Sequence, residues 1–234
     1  MTPVQGARAR ARVEITAAIK DEARTQLAAE GAAKLSLRAV ARELGMVSSA
    51  LYRYFPSRDD LLTALIVDAY DAVGAAAEQA DAAAAAKAPD DHLARWTAVC
   101  RAVRVWAVAH PHEYALIYGS PVPGYTAPQD TVGPASRVGL VLVSLARAAY
   151  QGRGIALPPL APALRPEAER LAADLTPDLP PALAAALVAA WAQLFGLVSF
   201  ELFGQFHRVV EDRDAFFTAS AERLGREVGL LPGA

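Results

Sequence analysis

The sequence has a single cysteine, Cys100, which excludes an internal disulfide framework and any zinc site made of cysteines alone. It also lacks an apolar stretch directly after its basic N-terminal residues, so we expect no secretory signal peptide. Strict alternation of apolar and polar residues, the pattern of a half-buried strand, is not convincing anywhere in the chain. These absences predict an all-α protein of the cytoplasm.

Helical periodicity dominates the sequence and predicts about nine helices. The first carries Ile15, Ile19, Ala23 and Leu27 on one stripe and stops at Gly31. Residues 75–88 are predicted to form an Ala-rich helix or linker, and the Pro-rich region 152–181 short helical pieces or a partly disordered segment. The predicted helices cover about residues 9–30, 36–45, 47–55, 57–73, 91–109, 111–119, 135–150, 182–209 and 213–228.

Positive charge is concentrated at the start of the chain. Residues 1–58 contain ten Lys or Arg and five Asp or Glu, although the whole chain has a net charge of -2. A basic head on an acidic body fits phosphate binding, because Lys and Arg displace the counterions condensed on nucleic acid. Chance asymmetry on solvated helix faces would give the same pattern.

Residues 36–62, SLRAVARELGMVSSALYRYFPSRDDLL, predict a helix-turn-helix. Ser36 is placed to cap the first helix, and Gly45 lies in the turn between the two helices. The apolar residues of both helices would bury together and fix the second helix at a defined angle. The alternative is a helical hairpin that has a solvent-exposed polar face and no DNA-binding role. The residues predicted to bury are Leu37, Val40, Ala41, Leu44, Leu51 and Phe55.

The outward residues of the second helix are the candidate DNA readers. The N-terminal positions of a recognition helix meet base edges in the major groove, and an arginine can donate two hydrogen bonds to guanine. Phosphate contacts are expected from side chains beside them and from the free N–H groups at the helix beginning near Ser57. The predicted base-contacting residues are Ser48, Ser49 and Arg53, and the predicted phosphate-contacting residues are Ser36, Arg38, Tyr52, Tyr54 and Arg58.

This stretch resembles the TetR family of one-component regulators. The most specific part is the run Leu51-Tyr52-x-Tyr54-Phe55 followed by Ser57-Arg58. The resemblance implies that the tyrosine and the basic residue after serine contact phosphates, which here are Tyr52 and Arg58. One departure is Val47, where family members often have a serine or threonine cap. The cap would then move to Ser48, which leaves the choice between Ser48 and Ser49 as base reader open.

The resemblance extends more weakly to the C-terminal half. The run from Trp191 to Leu202, WAQLFGLVSFEL, resembles the WHG type of TetR C-terminal domain, with Phe195 before Gly196 in place of histidine. The resemblance implies a helix-turn-helix domain at 1–72 and a larger helical effector and dimerisation domain at 73–234. It also implies a dimer built from the last two helices, with Trp191, Phe195, Val198, Leu202 and Phe206 at the interface.

An aromatic-rich stripe runs across two successive predicted helices. The resemblance suggests that this stripe lines an effector pocket, whereas an ordinary core would have the same composition. The stripe consists of Trp96, Cys100, Val103, Trp106, Tyr114 and Tyr118.

Residues 182–200 are uncharged and long enough to span a bilayer, but they are rich in alanine and interrupted by Gln193. We therefore expect a buried or interface helix and no membrane partner. The segment His110-Pro-His112-Glu113 predicts a helix boundary and not a metal site, because Pro111 interrupts the helix and the two histidines do not share a face. No metal and no cofactor are expected.

The residues and the resemblance together predict a homodimeric regulator that binds a palindromic double-stranded operator. The resemblance implies a repressor that is released by a small apolar effector of unknown identity. An activator of the same fold is an alternative. A helical enzyme or an adaptor protein that does not bind DNA is a further alternative. No catalytic arrangement of side chains in the sequence supports an enzyme.

Overall fold

The computed structural model describes residues 3–152 and 154–232, and this part of the chain is all helical, as predicted. It contains ten α-helices and three short 3₁₀ turns. The α-helices are α1 (Pro3–Glu30), α2 (Leu37–Glu43), α3 (Ser48–Leu51), α4 (Arg58–Ala85), α5 (His92–Ala109), α6 (Pro111–Tyr118), α7 (Val132–Gln151), α8 (Arg165–Leu175), α9 (Pro181–Leu202) and α10 (Arg213–Val228).

Several boundaries differ from those predicted. Helix α1 begins at Pro3 and not near residue 9, and α4 continues to Ala85, so most of the Ala-rich stretch is helix and not a linker. The Pro-rich region contains a complete helix, α8. Helix α9 ends at Leu202 and not near residue 209, because Gly204 turns the chain with a left-handed φ of 86°.

The chain divides into two compact units, Met1–Tyr70 with His110–Pro134, and Asp71–Ala109 with Ala135–Ala234. Helix α4 contributes its first half to one unit and its second half to the other. The predicted domain boundary at residue 72 stays a prediction.

The first unit has one apolar core built from α1, α2, α3, α6 and the first half of α4. Ile19, Ala23 and Leu27 recur every fourth residue along α1, so they lie on one helix face and are buried together. Polar side chains tie α1 and α4 outside this core, since Asp68 accepts from Lys20 at 2.8 Å and from Arg24 at 2.7 Å.

The second unit is organised around α5, which packs against α9 and α10. The indole N–H of Trp96 donates to the carbonyl oxygen of Ala221 at 3.0 Å. Gly225 makes this close packing possible, because a Cβ there would lie 2.7 Å from Leu93 and 3.0 Å from the Trp96 ring. Helix α8 packs on α9.

Two helical segments, Gln129–Gln151 and Pro181–Leu202, are long and apolar enough to cross a membrane by length and composition. The core helix of a soluble protein passes the same test, and 28% and 39% of the residues in the most apolar windows of these two segments are buried.

Candidate nucleic-acid interface

Helices α2 and α3 form the predicted helix-turn-helix. The Ser36 hydroxyl accepts a hydrogen bond from the Ala39 N–H at 3.4 Å, which caps α2. The turn follows at Gly45, whose φ of 64° lies in the left-handed region. The inner residues of both helices are buried in the core of the first unit, as predicted for Leu37, Val40 and Leu51. The angle of α3 is therefore set by apolar packing.

The start of α3 differs from the expected one. Val47 itself occupies the N-cap position with extended backbone angles, so the cap does not move to Ser48. Valine has no side-chain oxygen to accept a hydrogen bond, which leaves the first N–H groups of α3 to other partners. Ser48 and Ser49 are the first two residues of the helix, and both are exposed.

The face that α3 turns away from the core carries the predicted DNA-reading residues. Ser48, Ser49, Tyr52 and Arg53 are all exposed, whereas Leu51 among them is fully buried. Helix α3 is short, and the chain continues through a tight turn in which the Tyr54 N–H donates to the Leu51 carbonyl at 2.8 Å. The Arg53 N–H donates to the Ala50 carbonyl at 3.2 Å, so Arg53 lies in the turn directly after α3.

The predicted phosphate contacts fall into two groups. Arg38 and Tyr52 are exposed and free to reach a ligand, and Ser36 is partly exposed while its hydroxyl caps α2. Arg58 is directed inward instead. Its guanidinium donates to the carbonyl oxygens of Ala32 at 2.8 Å, Leu35 at 3.2 Å and Ala33 at 3.3 Å, which closes the connection between α1 and α2.

Arg12 is a residue of this surface to which the sequence assigned no role. Its guanidinium lies over the Tyr54 ring, 5.2 Å from the centroid, and reaches the Arg53 carbonyl at 3.5 Å. Tyr54 is half-buried beneath it. The alternation of arginines at 8, 10 and 12 was the available signal, but their proximity to α3 depends on how α1 packs.

The start of α4 is capped by Ser57. The Ser57 hydroxyl accepts from the Asp60 N–H at 3.1 Å and donates to the Asp60 carboxylate at 2.7 Å. Asp59 and Asp60 lie in the first turn, where the helix dipole favours negative charge.

The predicted effector stripe is divided between the two compact units. Trp96, Cys100 and Val103 are fully buried in the second unit, and Trp106 is nearly so. Burial raises the pKa of the Cys100 thiol, so the thiol is protonated and unreactive at neutral pH. Tyr114 and Tyr118 belong to the first unit, where their ring centroids are 5.1 Å apart. Whether the stripe binds a ligand stays a prediction.

The residues predicted to form the dimer interface differ in how far they are buried. Phe195 and Val198 lie in the core of the second unit, whereas Trp191 is exposed. Leu202 and Phe206 are half-buried, and Phe206 packs against the rings of Phe200 and Phe216 at centroid distances of 5.8 and 5.5 Å. The large apolar side chains left exposed along α9, in the connection after it and on α10 are Val188, Trp191, Phe200, Phe203, Val209 and Phe216.

The segment around Pro111 behaves as a helix boundary. His110 is the N-cap residue of α6 and Pro111 its first residue. The Glu113 carboxylate accepts from Arg24 at 3.2 Å. Within residues 3–152 and 154–232, the structure groups no three or more His, Cys, Asp or Glu side chains in a way that could hold a metal ion.

Comparison with known proteins gives two family matches. A family described as "Bacterial regulatory proteins, tetR family" matches residues 19–65, and one described as "Tetracyclin repressor-like, C-terminal domain" matches residues 96–224. An HTH-type transcriptional regulator of Mycobacterium tuberculosis is 42% identical over 205 residues, which cover 86% of each chain.

Solved structures agree with these matches. The crystal structure of the regulatory protein SCO4313 is 34% identical and superposes with a TM-score of 0.76 over 92% of this chain and 97% of that one. RolR in complex with resorcinol is 18% identical, with a TM-score of 0.52 over 96% of this chain and 98% of RolR, and shares the fold.

Proposed function

Because the chain belongs to the TetR family of bacterial transcription regulators, we propose that it is a homodimeric repressor that leaves a palindromic operator when a small apolar effector binds. The protein is a DNA-binding, ligand-responsive transcription regulator. The repressor role, the dimer and the nature of the effector are the proposed parts. We also propose that it works in the cytoplasm, where its DNA lies.

The observation that carries the proposal is the outward face of α3. Three small or basic side chains, Ser48, Ser49 and Arg53, are exposed on a helix whose inner residue Leu51 is fully buried. A rigidly held, exposed face of this kind fits the major groove. Arg53 donates two hydrogen bonds to guanine O6 and N7, and the serines donate to or accept from neighbouring bases.

The phosphate contacts surround this face. Arg38 and Tyr52 are exposed beside α3, and we add Arg12, whose guanidinium lies next to the Arg53 backbone. Ser36 and Tyr54 contribute through their partly exposed polar atoms. Arg58 acts mainly by holding the α1–α2 connection in place, since its donors already point to carbonyl oxygens.

The dimer and the effector are proposed for the C-terminal part of the chain, residues 73–234. The exposed aromatic side chains of α9, α10 and the turn between them support an interface between two copies, because apolar patches of this kind are normally covered. The resemblance to the WHG type is part of this proposal. RolR, which shares the fold, binds resorcinol, a small aromatic molecule, and this supports a small effector for this chain.

Repression would be relieved by population shift. The effector binds more tightly to the arrangement of the dimer in which the two helix-turn-helix domains no longer match successive major grooves. Effector binding therefore lowers the population of the DNA-bound state. In the absence of effector, the two helix-turn-helix domains of the dimer bind the two halves of the palindrome.

The test is to incubate the purified protein with sheared DNA of its own genome and sequence what it retains. Arg53→Ala is expected to lose or relax the enriched palindrome, with affinity about 5- to 150-fold lower for each half-site, because a bidentate arginine–guanine contact is worth about 1–3 kcal/mol. The matched control is Arg101→Ala, an exposed arginine of α5 in the other unit. It is expected to retain the palindrome like the wild type.

Two results would contradict the proposal. Retention of DNA without a shared motif, abolished by moderate salt, means non-specific phosphate binding only. Increased transcription from the retained operator, when the protein is added to an in vitro reaction, means an activator and not a repressor.

A further inference from the structure

Val47 is an exposed apolar residue at the start of α3, directly before the exposed residues Ser48 and Ser49. It is 71% exposed and lies outside the apolar core of the first unit. Exposure alone does not distinguish Val47, because Val13 on α1 is 70% exposed and single apolar residues are common on protein surfaces. Val47 differs from Val13 in its position at the end of a helix.

Valine is a poor residue for that position. The N-cap of a helix favours serine, threonine, aspartate or asparagine, whose side-chain oxygen accepts a hydrogen bond from a free N–H group. Serines cap both neighbouring helices of the unit, Ser36 for α2 and Ser57 for α4, whereas Val47 provides no side-chain cap for α3. Val47 thus forgoes a cap and also exposes an apolar side chain. Departures from local preference of this kind concentrate where a residue serves function.

The Val47 side chain is held in a fixed position on the helix-turn-helix. Met46 packs against the core, and the Val47 backbone is extended, so the Val47 side chain points away from the core. The Val47 carbonyl accepts from the N–H groups of Ala50 at 2.9 Å and of Leu51 at 3.4 Å, and Leu51 is fully buried. Because a β-branched side chain has few rotamers, little conformational entropy is lost when it contacts a partner.

The major groove offers one apolar group to such a side chain, the C5-methyl group of thymine. Ser48, Ser49 and Arg53 beside Val47 are suited to the polar edges of the bases, and none of them supplies an apolar surface of this size. We propose that Val47 contacts the methyl group of one thymine in each half-site and so selects thymine at that position. This inference rests on the proposed function, since it requires α3 to lie in the major groove.

Uracil tests the contact directly, because it lacks the C5-methyl group and keeps every hydrogen-bonding group of thymine. Each thymine of the retained palindrome is replaced in turn by deoxyuridine, in both half-sites at once, and the affinity of the full-length protein is measured by fluorescence anisotropy. At one thymine position we expect affinity to fall about fourfold for each half-site, or about 16-fold for the duplex, as for one apolar group of about 0.8 kcal/mol.

Val47→Ser separates base reading from a structural role. It removes both methyl groups and supplies the oxygen of an N-cap, so the variant should be at least as stable to heat as the wild type. It should nevertheless bind the thymine palindrome more weakly, and it should bind the thymine and uracil duplexes equally. If Val47 only shaped the start of α3, Val47→Ser would bind the palindrome as well as the wild type or better.

Two further variants complete the test. Val47→Ala removes the same two methyl groups without adding an oxygen, so it should also bind the thymine and uracil duplexes nearly equally. Val13→Ser is the matched control, because Val13 is an equally exposed valine of the same unit and lies on α1. It should keep both the affinity and the uracil sensitivity of the wild type.

The outcomes separate this inference from the proposed function. If a palindrome is retained but uracil is tolerated at every thymine position, Val47 reads no methyl group and the regulator stands. If Val47→Ser and Val47→Ala keep the uracil sensitivity of the wild type, another residue reads the methyl group and the inference is overturned. If no palindrome is retained, the proposed function fails and the role of Val47 fails with it.

Discussion

Arg58 links residues that are far apart in sequence, and it does so with hydrogen bonds to three backbone carbonyls between α1 and α2. Replacing it by alanine removes these donors and leaves partly buried carbonyl oxygens without them. We expect Arg58→Ala to lower the free energy of unfolding by about 2 kcal/mol, since hydrogen bonds from a charged donor are worth about 1.5–3 kcal/mol. Urea denaturation followed by circular dichroism measures the change.

Arg53→Ala is the matched control for this prediction. The guanidinium of Arg53 is exposed and has no hydrogen-bond partner in the part of the chain that the structure describes, so the variant should stay within about 0.5 kcal/mol of the wild type. Arg58→Lys keeps the charge but cannot reach three carbonyls with one ammonium group. If Arg58→Lys were fully stable yet Arg58→Ala lost DNA binding alone, Arg58 would act through phosphate and not through the fold.

At the scale of elements, one side chain joins α5 to both of the last two helices. Arg104 donates to the Glu201 carboxylate on α9 at 2.7 and 2.8 Å and to Asp214 on α10 at 2.8 Å. Only 13% of the Arg104 side chain and 9% of the Glu201 side chain are exposed. The hydrogen bond to Glu201 raises the pKa of Arg104, so the guanidinium stays charged.

Glu201→Ala therefore leaves a partly buried guanidinium without its main partner. We expect a loss of about 2–3 kcal/mol in the free energy of unfolding, slightly below the range for fully buried pairs. Arg101→Ala, one turn earlier on α5, removes an exposed pair with Asp214 at 3.4 Å and should cost less than about 1 kcal/mol. Equal losses in the two variants, measured by urea denaturation, would show that burial of the Arg104–Glu201 pair does not matter.

The sequence located most elements because their signals are local. Ser36 marks the start of the helix-turn-helix and Gly45 marks its turn. The four-residue spacing of Ile19, Ala23 and Leu27 marks the buried face of α1. The end of α9 was missed because apolar residues continue past Leu202, whereas the stop is set by the left-handed backbone at Gly204. Helix α8 had a usable signal in Pro166 and Glu167 at its first turn, but the surrounding prolines obscured it.

Features that depend on distant contacts could not be predicted. The inward direction of Arg58 requires the position of the α1–α2 connection, and the bridge that Arg104 makes to Glu201 and Asp214 requires three helices that meet only in the folded chain. The same limit applies to the stripe on α5. Its composition fits a pocket and a core equally well, and only the packing of Trp96 against Ala221 shows how deeply it is buried.

At the scale of the whole molecule, the exposed aromatic side chains of α9, α10 and the turn between them should decide whether two copies bind DNA together. Phe203 is exposed in the turn directly after α9, so a charge at this position disturbs an interface without entering the core. We expect Phe203→Asp to fold with unchanged helicity and to sediment as a monomer. Its affinity for the palindrome should fall more than about 100-fold, because two linked heads gain their second contact at high effective concentration.

Val132→Asp is the matched control for Phe203→Asp. Val132 is an equally exposed apolar residue, but it lies at the start of α7, where the helix dipole tolerates a carboxylate. This variant should remain a dimer with wild-type affinity. A Phe203→Asp protein that still sediments as a dimer would move the interface away from the end of α9. If the Phe203→Asp protein were a monomer with full affinity for the palindrome, each helix-turn-helix domain would bind its half-site independently. The proposed coupling between effector binding and the spacing of the two domains would then have no basis.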